Sequence, residues 1–122
     1  MLRRAAEAGV EAVVCVGDTL DSSQDSIALA AREPSVWATA GIHPHHAHEV
    51  PEGWESRLRE LLAQPRVVAV GEVGLDFHYD FAPRDVQEEV FRRQVRIAVK
   101  LRLPLVIHSR EAGDEVLRIL RE

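Results

Sequence analysis

The chain has 122 residues, of which 46% are hydrophobic, enough for one domain with a buried core. Its formal net charge of −5 argues against a protein that coats nucleic acid through a basic surface, but not against an enzyme that holds a phosphodiester through metal ions. The single cysteine excludes a disulfide framework and fits a reduced, cytoplasmic compartment, and we expect no signal peptide and no membrane-spanning segment.

Short apolar runs alternate along the chain with segments of helical spacing. The runs at residues 12–17, 36–42, 67–71 and 104–107 predict four strands. Their nearly continuous hydrophobicity is typical of a parallel sheet that is covered by helices. The strand starts are roughly 24 to 37 residues apart, which is the length of one βα unit. The pattern therefore predicts an α/β fold with four parallel strands.

Helical spacing predicts about five helices, one of them at each end of the chain. The first ends near Gly9, the second covers residues 23–32, and the third follows Pro51. The clearest helix runs from about Arg84 to Lys100, because its apolar residues recur at three- and four-residue intervals. We expect the last helix to begin after Ser109, which would serve as its N-cap.

The two outer strands of such a sheet, at residues 12–17 and 104–108, would be apolar edges without a neighbour. Exposed apolar edges favour aggregation, so natural sheets pair or cover them. We therefore expect either missing barrel segments or self-association to cover both edges.

Glu72 is the strongest candidate for a functional residue. The apolar strand at 67–71 stops at this carboxylate, and Gly71 and Gly74 leave room for a ligand beside it. Two other predicted strands finish near His43 and His108, and α/β barrels build their sites at the carboxyl ends of strands. The alternative is a carboxylate that caps a loop or pairs with an arginine. Asp76 lies beyond the predicted strand end and could serve either function or structure.

His108 and Arg110 are two residues apart at the end of the fourth strand, so both side chains are expected on one face. A neutral imidazole binds zinc or manganese, and an arginine can hold a phosphate oxygen. The simpler alternative for His108 is a hydrogen-bonded core histidine.

Four histidines lie between residues 43 and 48. An H-x-H pair after a strand can direct two imidazoles to one ion, and His43 is the candidate because it is nearest the strand. We expect His46 and His48 to lie in a solvent-exposed loop and His78 at a loop surface. A metal-storage module built from this histidine loop is a weaker hypothesis.

Three segments, at residues 40–45, 70–77 and 104–110, resemble the TatD-type metal-dependent deoxyribonucleases of the metal-dependent hydrolase superfamily. The resemblance implies a distorted TIM barrel, of which this chain would hold strands two to five with their flanking helices. It also implies hydrolysis of DNA or another phosphodiester with two divalent cations, Mg²⁺, Mn²⁺ or Zn²⁺.

By position, the resemblance assigns the catalytic and metal-binding roles to Glu72, which would bridge the two metals, and to His108, a histidine ligand on the fifth strand. It places His43, Asp76 and Arg110 around the site, where they would help to hold substrate.

The family's H-x-H strand, its histidine on the sixth strand and its aspartate on the last strand have no counterpart here. The resemblance therefore implies that residues 1–122 form a single partial domain. The competing hypothesis is a non-catalytic half-barrel fragment or an assembly subunit.

Overall fold

The computed structural model describes residues 1–122 and contains one sheet of four parallel strands, in the order β1-β2-β3-β4. The strands are β1 Val13–Cys15, β2 Val36–Ala40, β3 Val67–Asp76 and β4 Leu105–Arg110. The helices are α1 Leu2–Glu7, α2 Leu20–Arg32, α3 Trp54–Leu62, α4 Arg84–Leu101 and α5 Gly113–Leu120, with a 3-10 helix at Pro44–Glu49. The predicted α/β partial barrel with flanking helices is confirmed.

Strand β3 is twice as long as the sequence predicts. It continues through Glu72 and the two glycines to Asp76, so Glu72 lies inside the strand and not at its end. The prediction that Asp76 lies beyond the strand was wrong for the same reason. Pairing with β4 extends the strand: Gly74, Leu75 and Asp76 are aligned with successive residues of β4, after a shift of register between Gly71 and Val73.

Two predicted helix starts were wrong. Ser109 does not cap α5, because it belongs to β4 and is aligned with Leu75 of β3; the helix begins at Gly113, after Ala112. Helix α2 begins at Leu20, three residues earlier than predicted. The hydroxyl of Thr19 accepts from the Ser22 amide, and the Ser22 hydroxyl accepts from the Thr19 amide. This reciprocal capping satisfies free N–H groups of the first turn.

The main core contains 18 buried hydrophobic residues, contributed largely by α3, β3 and α4. The apolar residues whose spacing predicts α4 include Val90, Phe91 and Ile97, and all three are nearly inaccessible to solvent. None of the helices is both long and apolar enough to cross a membrane.

The two edges of the sheet carry exposed apolar residues. β1 and β4 each pair with only one strand. Val14 on β1 and Ile107 on β4 keep 49% and 37% of their surface accessible. An uncovered apolar edge is unfavourable in water, which is the reason for expecting missing barrel segments or self-association at both edges.

Two buried glutamines on α4 attach the helix to the sheet. The amide of Gln94 accepts from the backbone N–H of Ile42 and donates to its carbonyl, at 2.7 and 3.2 Å. Gln87 does the same for Asp76, at 2.8 and 3.1 Å. Both side chains are buried, and the two residues are seven apart, so they share one face of the helix. Helix α4 therefore positions the chain where β2 and β3 end.

Replacing Gln94 by leucine is expected to lower the free energy of unfolding by about 2–4 kcal/mol, because the polar backbone groups of Ile42 would lose their partner while buried. Urea unfolding measures this loss. Gln64→Leu is the matched control, since Gln64 is exposed, follows α3, and its side chain bonds only to the carbonyl of Glu60. Equal stabilities of the two variants would contradict the role of Gln94.

Candidate metal centre

Glu72 is held in place by backbone contacts across the sheet. Its N–H donates to the carbonyl of Gly17, which follows β1, at 2.8 Å. The Thr39 hydroxyl on β2 donates to the Gly71 carbonyl at 2.7 Å and accepts from the Gly17 amide at 3.2 Å. Three strands therefore fix the backbone at Glu72, which leaves its carboxylate free for other contacts.

Three histidines meet beside this carboxylate. One ring nitrogen from each of His43, His45 and His108 lies within 4.8 Å of the others. The ring centroid of His43 is 4.4 Å from that of His45 and 4.5 Å from that of His108. His43 and His45 follow β2 and His108 lies on β4, so the curling of the sheet brings them together.

The two oxygens of Glu72 face different histidines. Oε2 is 3.8 Å from Nε2 of His43, and Oε1 is 3.7 Å from Nδ1 of His108. Both distances exceed a direct hydrogen bond, so each gap can hold a bridging group. The Glu72 side chain is about one-third exposed, with 34% of its surface accessible, so the gaps communicate with solvent.

Asp76 is buried, and both of its carboxylate oxygens accept hydrogen bonds from the protein. Its Oδ2 accepts from Nε2 of His45 at 2.8 Å and from Nε2 of His108 at 2.9 Å. Its Oδ1 accepts from the backbone amides of His78 and Tyr79. Burial alone would raise the pKa of Asp76, but these four hydrogen bonds outweigh it, so the pKa lies well below its usual value and the group is ionised.

An ionised carboxylate only accepts hydrogen bonds, so His45 and His108 must each donate to Asp76 through Nε2. In a neutral His108 the other nitrogen, Nδ1, then carries the lone pair, and this nitrogen faces Glu72. A carboxylate that fixes the tautomer of a ligating histidine is a recurrent feature of metal sites.

His43 has the same tautomer as His108, but the other ring nitrogen faces Glu72. Its Nδ1 accepts from the backbone amide of His45 at 3.1 Å, so in the neutral ring the proton is on Nε2, which faces Glu72. Burial, followed by the nearby imidazoles of His108 and His45, lowers the pKa of His43 to about 4. His43 is therefore neutral at pH 7 and presents its Nε2–H towards Glu72, at a distance longer than a direct hydrogen bond.

The donor atoms suit a divalent cation. A carboxylate oxygen of Glu72 and Nδ1 of His108 are 3.7 Å apart, so both can contact one ion at ordinary coordination distances. Asp76 already orients the imidazole of His108. A catalytic zinc usually has three protein ligands and a water, so further donors must complete this pair.

The remaining candidate residues lie around this centre. The guanidinium of Arg110 is 4.8 Å from the ring centre of Tyr79 and has no carboxylate partner. His46 and His48 contact Glu49, and His46 bonds to it at 2.7 Å. These two histidines lie outside the three-histidine cluster, on the 3-10 helix, where His48 is exposed and His46 is half-buried.

His78 also lies outside the cluster, where its ring contacts the exposed Glu111 at 3.1 Å. This agrees with the expectation of a loop surface. His45 was not among the residues selected from the sequence, although the H-x-H spacing after a strand indicated it. The 3-10 helix explains its position, because the turn after Pro44 directs the ring of His45 to Asp76.

Comparison with known proteins gives a consistent result. The family model described as "TatD related DNase" matches residues 1–122. A 3'-5' ssDNA/RNA exonuclease TatD of Shigella flexneri is 40% identical over 120 residues, which are 98% of this chain and 46% of that protein. The exonuclease of the same name from Escherichia coli K12 is 40% identical over 114 residues, 93% of this chain and 44% of that protein.

Two solved structures share the fold. A TatD homologue from Escherichia coli K12 superposes with a TM-score of 0.92 at 30% identity, covering 98% of this chain and 47% of that one. An uncharacterised amidohydrolase from Saccharomyces cerevisiae gives a TM-score of 0.82 at 25% identity, with 98% and 42% of the two chains covered. The chain thus spans about half the length of the relatives that it matches.

Proposed function

This chain belongs to the TatD related DNase family, and from that premise we propose that it carries the Glu72–His108 part of a metal-dependent centre that hydrolyses phosphodiesters. The observation that supports this most directly is the pairing of two donors across the sheet. Nδ1 of His108, oriented by Asp76, lies 3.7 Å from Oε1 of Glu72. The full reaction is proposed to use two divalent cations.

Glu72 and His108 are proposed as the residues that hold the metal. When bound, divalent cations neutralise charge on the phosphoryl oxygens and lower the pKa of the attacking water. The protein contributes the orientation of the ligands. Asp76 fixes the rings of His45 and His108 and, since its oxygens are fully engaged, we assign it a positioning role and not direct contact with substrate.

His43 and Arg110 are proposed to bind the substrate. The Nε2–H of His43 points into the gap beside Glu72, where it can donate to a phosphoryl oxygen. Arg110 is exposed and has no acidic partner, so its guanidinium can bind a second phosphate. The two residues would thus hold successive parts of a nucleic-acid strand.

The relatives named as 3'-5' ssDNA/RNA exonucleases suggest single-stranded DNA or RNA as the substrate. A net charge of −5 disfavours binding through a broad basic surface. Recognition at the metal centre, through a few local contacts, agrees with both facts. We propose a cytoplasmic location, because a chain with a single cysteine has no disulfide framework and fits a reducing compartment.

The decisive experiment is the Glu72→Gln variant, compared with the unchanged chain in Mn²⁺. Glutamine keeps the size of the side chain but removes the charge, so we expect Mn²⁺ binding to weaken about 100-fold by calorimetry. Cleavage of a labelled single-stranded oligonucleotide is expected to fall in parallel. Glu49→Gln is the matched control, because Glu49 contacts only His46 and His48.

Unchanged Mn²⁺ affinity in Glu72→Gln would contradict the assignment of the metal centre. Mn²⁺ binding without any cleavage by the 122-residue chain would favour the second candidate function, a non-catalytic half-barrel or assembly subunit. Two observations favour that candidate. The chain spans only about half the length of its relatives. A metal ion held by Glu72 and His108 would also need further protein ligands.

We also propose that residues 1–122 are a single partial domain whose exposed edges, β1 and β4, are covered by other barrel strands or by a second copy of the chain. The exposed Val14 and Ile107 support this. Sedimentation distinguishes the two forms of cover, since a concentration-dependent dimer is expected only for the second.

A further inference from the structure

Two stacked aromatic rings lie exposed next to the metal centre. The rings of Tyr79 and Phe81 are 5.4 Å apart with an interplanar angle of 12°, and they keep 48% and 60% of their surface accessible. Both are in edge contact with His45, at 5.8 and 4.8 Å between ring centroids. Because the two rings adjoin one another, they form a contiguous apolar patch, and such patches can mark ligand-binding surfaces.

A cation accompanies these rings. The guanidinium of Arg110 is 4.8 Å from the ring centre of Tyr79. The carboxylates nearby are engaged: Asp80 pairs with Arg84, and Glu111 with His78. Arg110 is therefore the one residue of this group whose charge has no partner. An aromatic surface beside an available cation has the chemistry that binds a base together with its phosphate.

We propose that Tyr79 and Phe81 form a base-stacking subsite for single-stranded nucleic acid, in which Arg110 binds the adjacent phosphate. This rests on the proposed function, because the subsite would hold a nucleotide next to the one at the metal centre. Stacking on aromatic side chains tolerates every base, since each has a π face, and requires that the base is not already paired. The subsite would therefore select single strands without reading sequence.

The test measures binding of the 122-residue chain to fluorescein-labelled oligonucleotides by anisotropy, in EDTA, so that neither metal nor cleavage contributes. The probes are oligothymidylate of about ten nucleotides, an abasic strand with the same number of phosphates, and a duplex of equal length. We expect oligothymidylate to bind about tenfold more tightly than either of the others. Salt affects the phosphate contacts of all three probes, so one ionic strength is used throughout.

The variants Tyr79→Leu and Phe81→Leu are expected to remove the preference for oligothymidylate and to leave binding of the abasic strand unchanged. Both side chains are exposed, so the fold should tolerate leucine, and circular dichroism checks this. Trp37→Leu is the matched control. Trp37 is also exposed beneath an arginine, with Arg66 4.1 Å from its ring centre, but it lies on β2 away from the histidines.

Equal binding of oligothymidylate and the abasic strand, or a preference that survives in both leucine variants, would overturn the proposal and mark the two rings as a packing surface. The result is separable from the proposed function. Base preference in a chain that neither binds Mn²⁺ nor cleaves would keep the subsite and remove the hydrolytic assignment. Metal-dependent cleavage without base preference would support the hydrolytic assignment and contradict the stacking subsite.

Discussion

Replacing Asp76 by alanine is expected to lower the free energy of unfolding by about 3–5 kcal/mol. The buried carboxylate accepts four hydrogen bonds, from two imidazoles and two backbone amides, and alanine would leave these donors without a partner. Urea unfolding in EDTA measures the loss without interference from metal. It is one of the two largest effects that we expect from a single substitution in this chain.

Acid sensitivity provides a second readout for Asp76. Because its folded-state pKa lies below the unfolded value, the carboxylate stabilises the fold at pH values above about 4 and this stabilisation is lost as the pH falls further. The difference in the free energy of unfolding between the unchanged chain and the Asp76→Ala variant should therefore become smaller in acid. Asp80→Ala is the control, because Asp80 is exposed and pairs only with Arg84, so a change within about 1 kcal/mol is expected. Equal losses in the two variants would contradict the role of Asp76.

The second large effect is expected for Gly74→Ala, at about 3–5 kcal/mol, through steric overlap in the sheet. Gly74 has a φ of +140°, which side chains rarely tolerate, and a Cβ there would lie 2.0 Å from the carbonyl oxygen of His108. To relieve this contact, β3 and β4 would have to separate where His108 meets Asp76. We therefore expect Mn²⁺ affinity to fall together with stability in urea.

Gly113→Ala is the control for this substitution. Gly113 is the first residue of α5, and a Cβ there would meet nothing within 4 Å. Alanine is favoured over glycine in helices, so stability should be unchanged or slightly higher. A Gly74→Ala variant as stable as Gly113→Ala would show that β3 and β4 do not need this close approach.

Helix α4 and strand β3 differ in how far their boundaries can be predicted from local sequence. The two ends of helix α4 were predicted to within one residue. An amphipathic helix repeats its apolar positions inside one segment, so its length can be read from local sequence. Strand β3 was predicted too short, since Glu72, with Gly71 before it and Gly74 after it, interrupts the apolar run. Its second half is a strand because β4 pairs with it, and that pairing cannot be read from residues 72–76 alone.

The same distinction applies to the site. Glu72, His43 and His108 were identified because each follows an apolar run, and the fold places all three side by side. The resemblance placed Asp76 around the site as a residue that would help to hold substrate. Its contacts with the two histidines could not be inferred, because His45 and His108 are 31 and 32 residues away along the chain. The assignment of metal and substrate roles to Glu72, His108, His43 and Arg110 stays a prediction.

Residue patterns along the chain are sufficient to predict the alternation of buried strands and amphipathic helices, and hence a parallel sheet with acid and imidazole groups near the ends of its strands. Hydrophobic periodicity encodes this, since each element needs only its own residues to define a buried face. These patterns do not show which nitrogen of each histidine is free, which carboxylate is buried, or that the rings of Tyr79 and Phe81 lie beside them. Those properties depend on the register and curl of the sheet, which bring together atoms from segments about thirty residues apart.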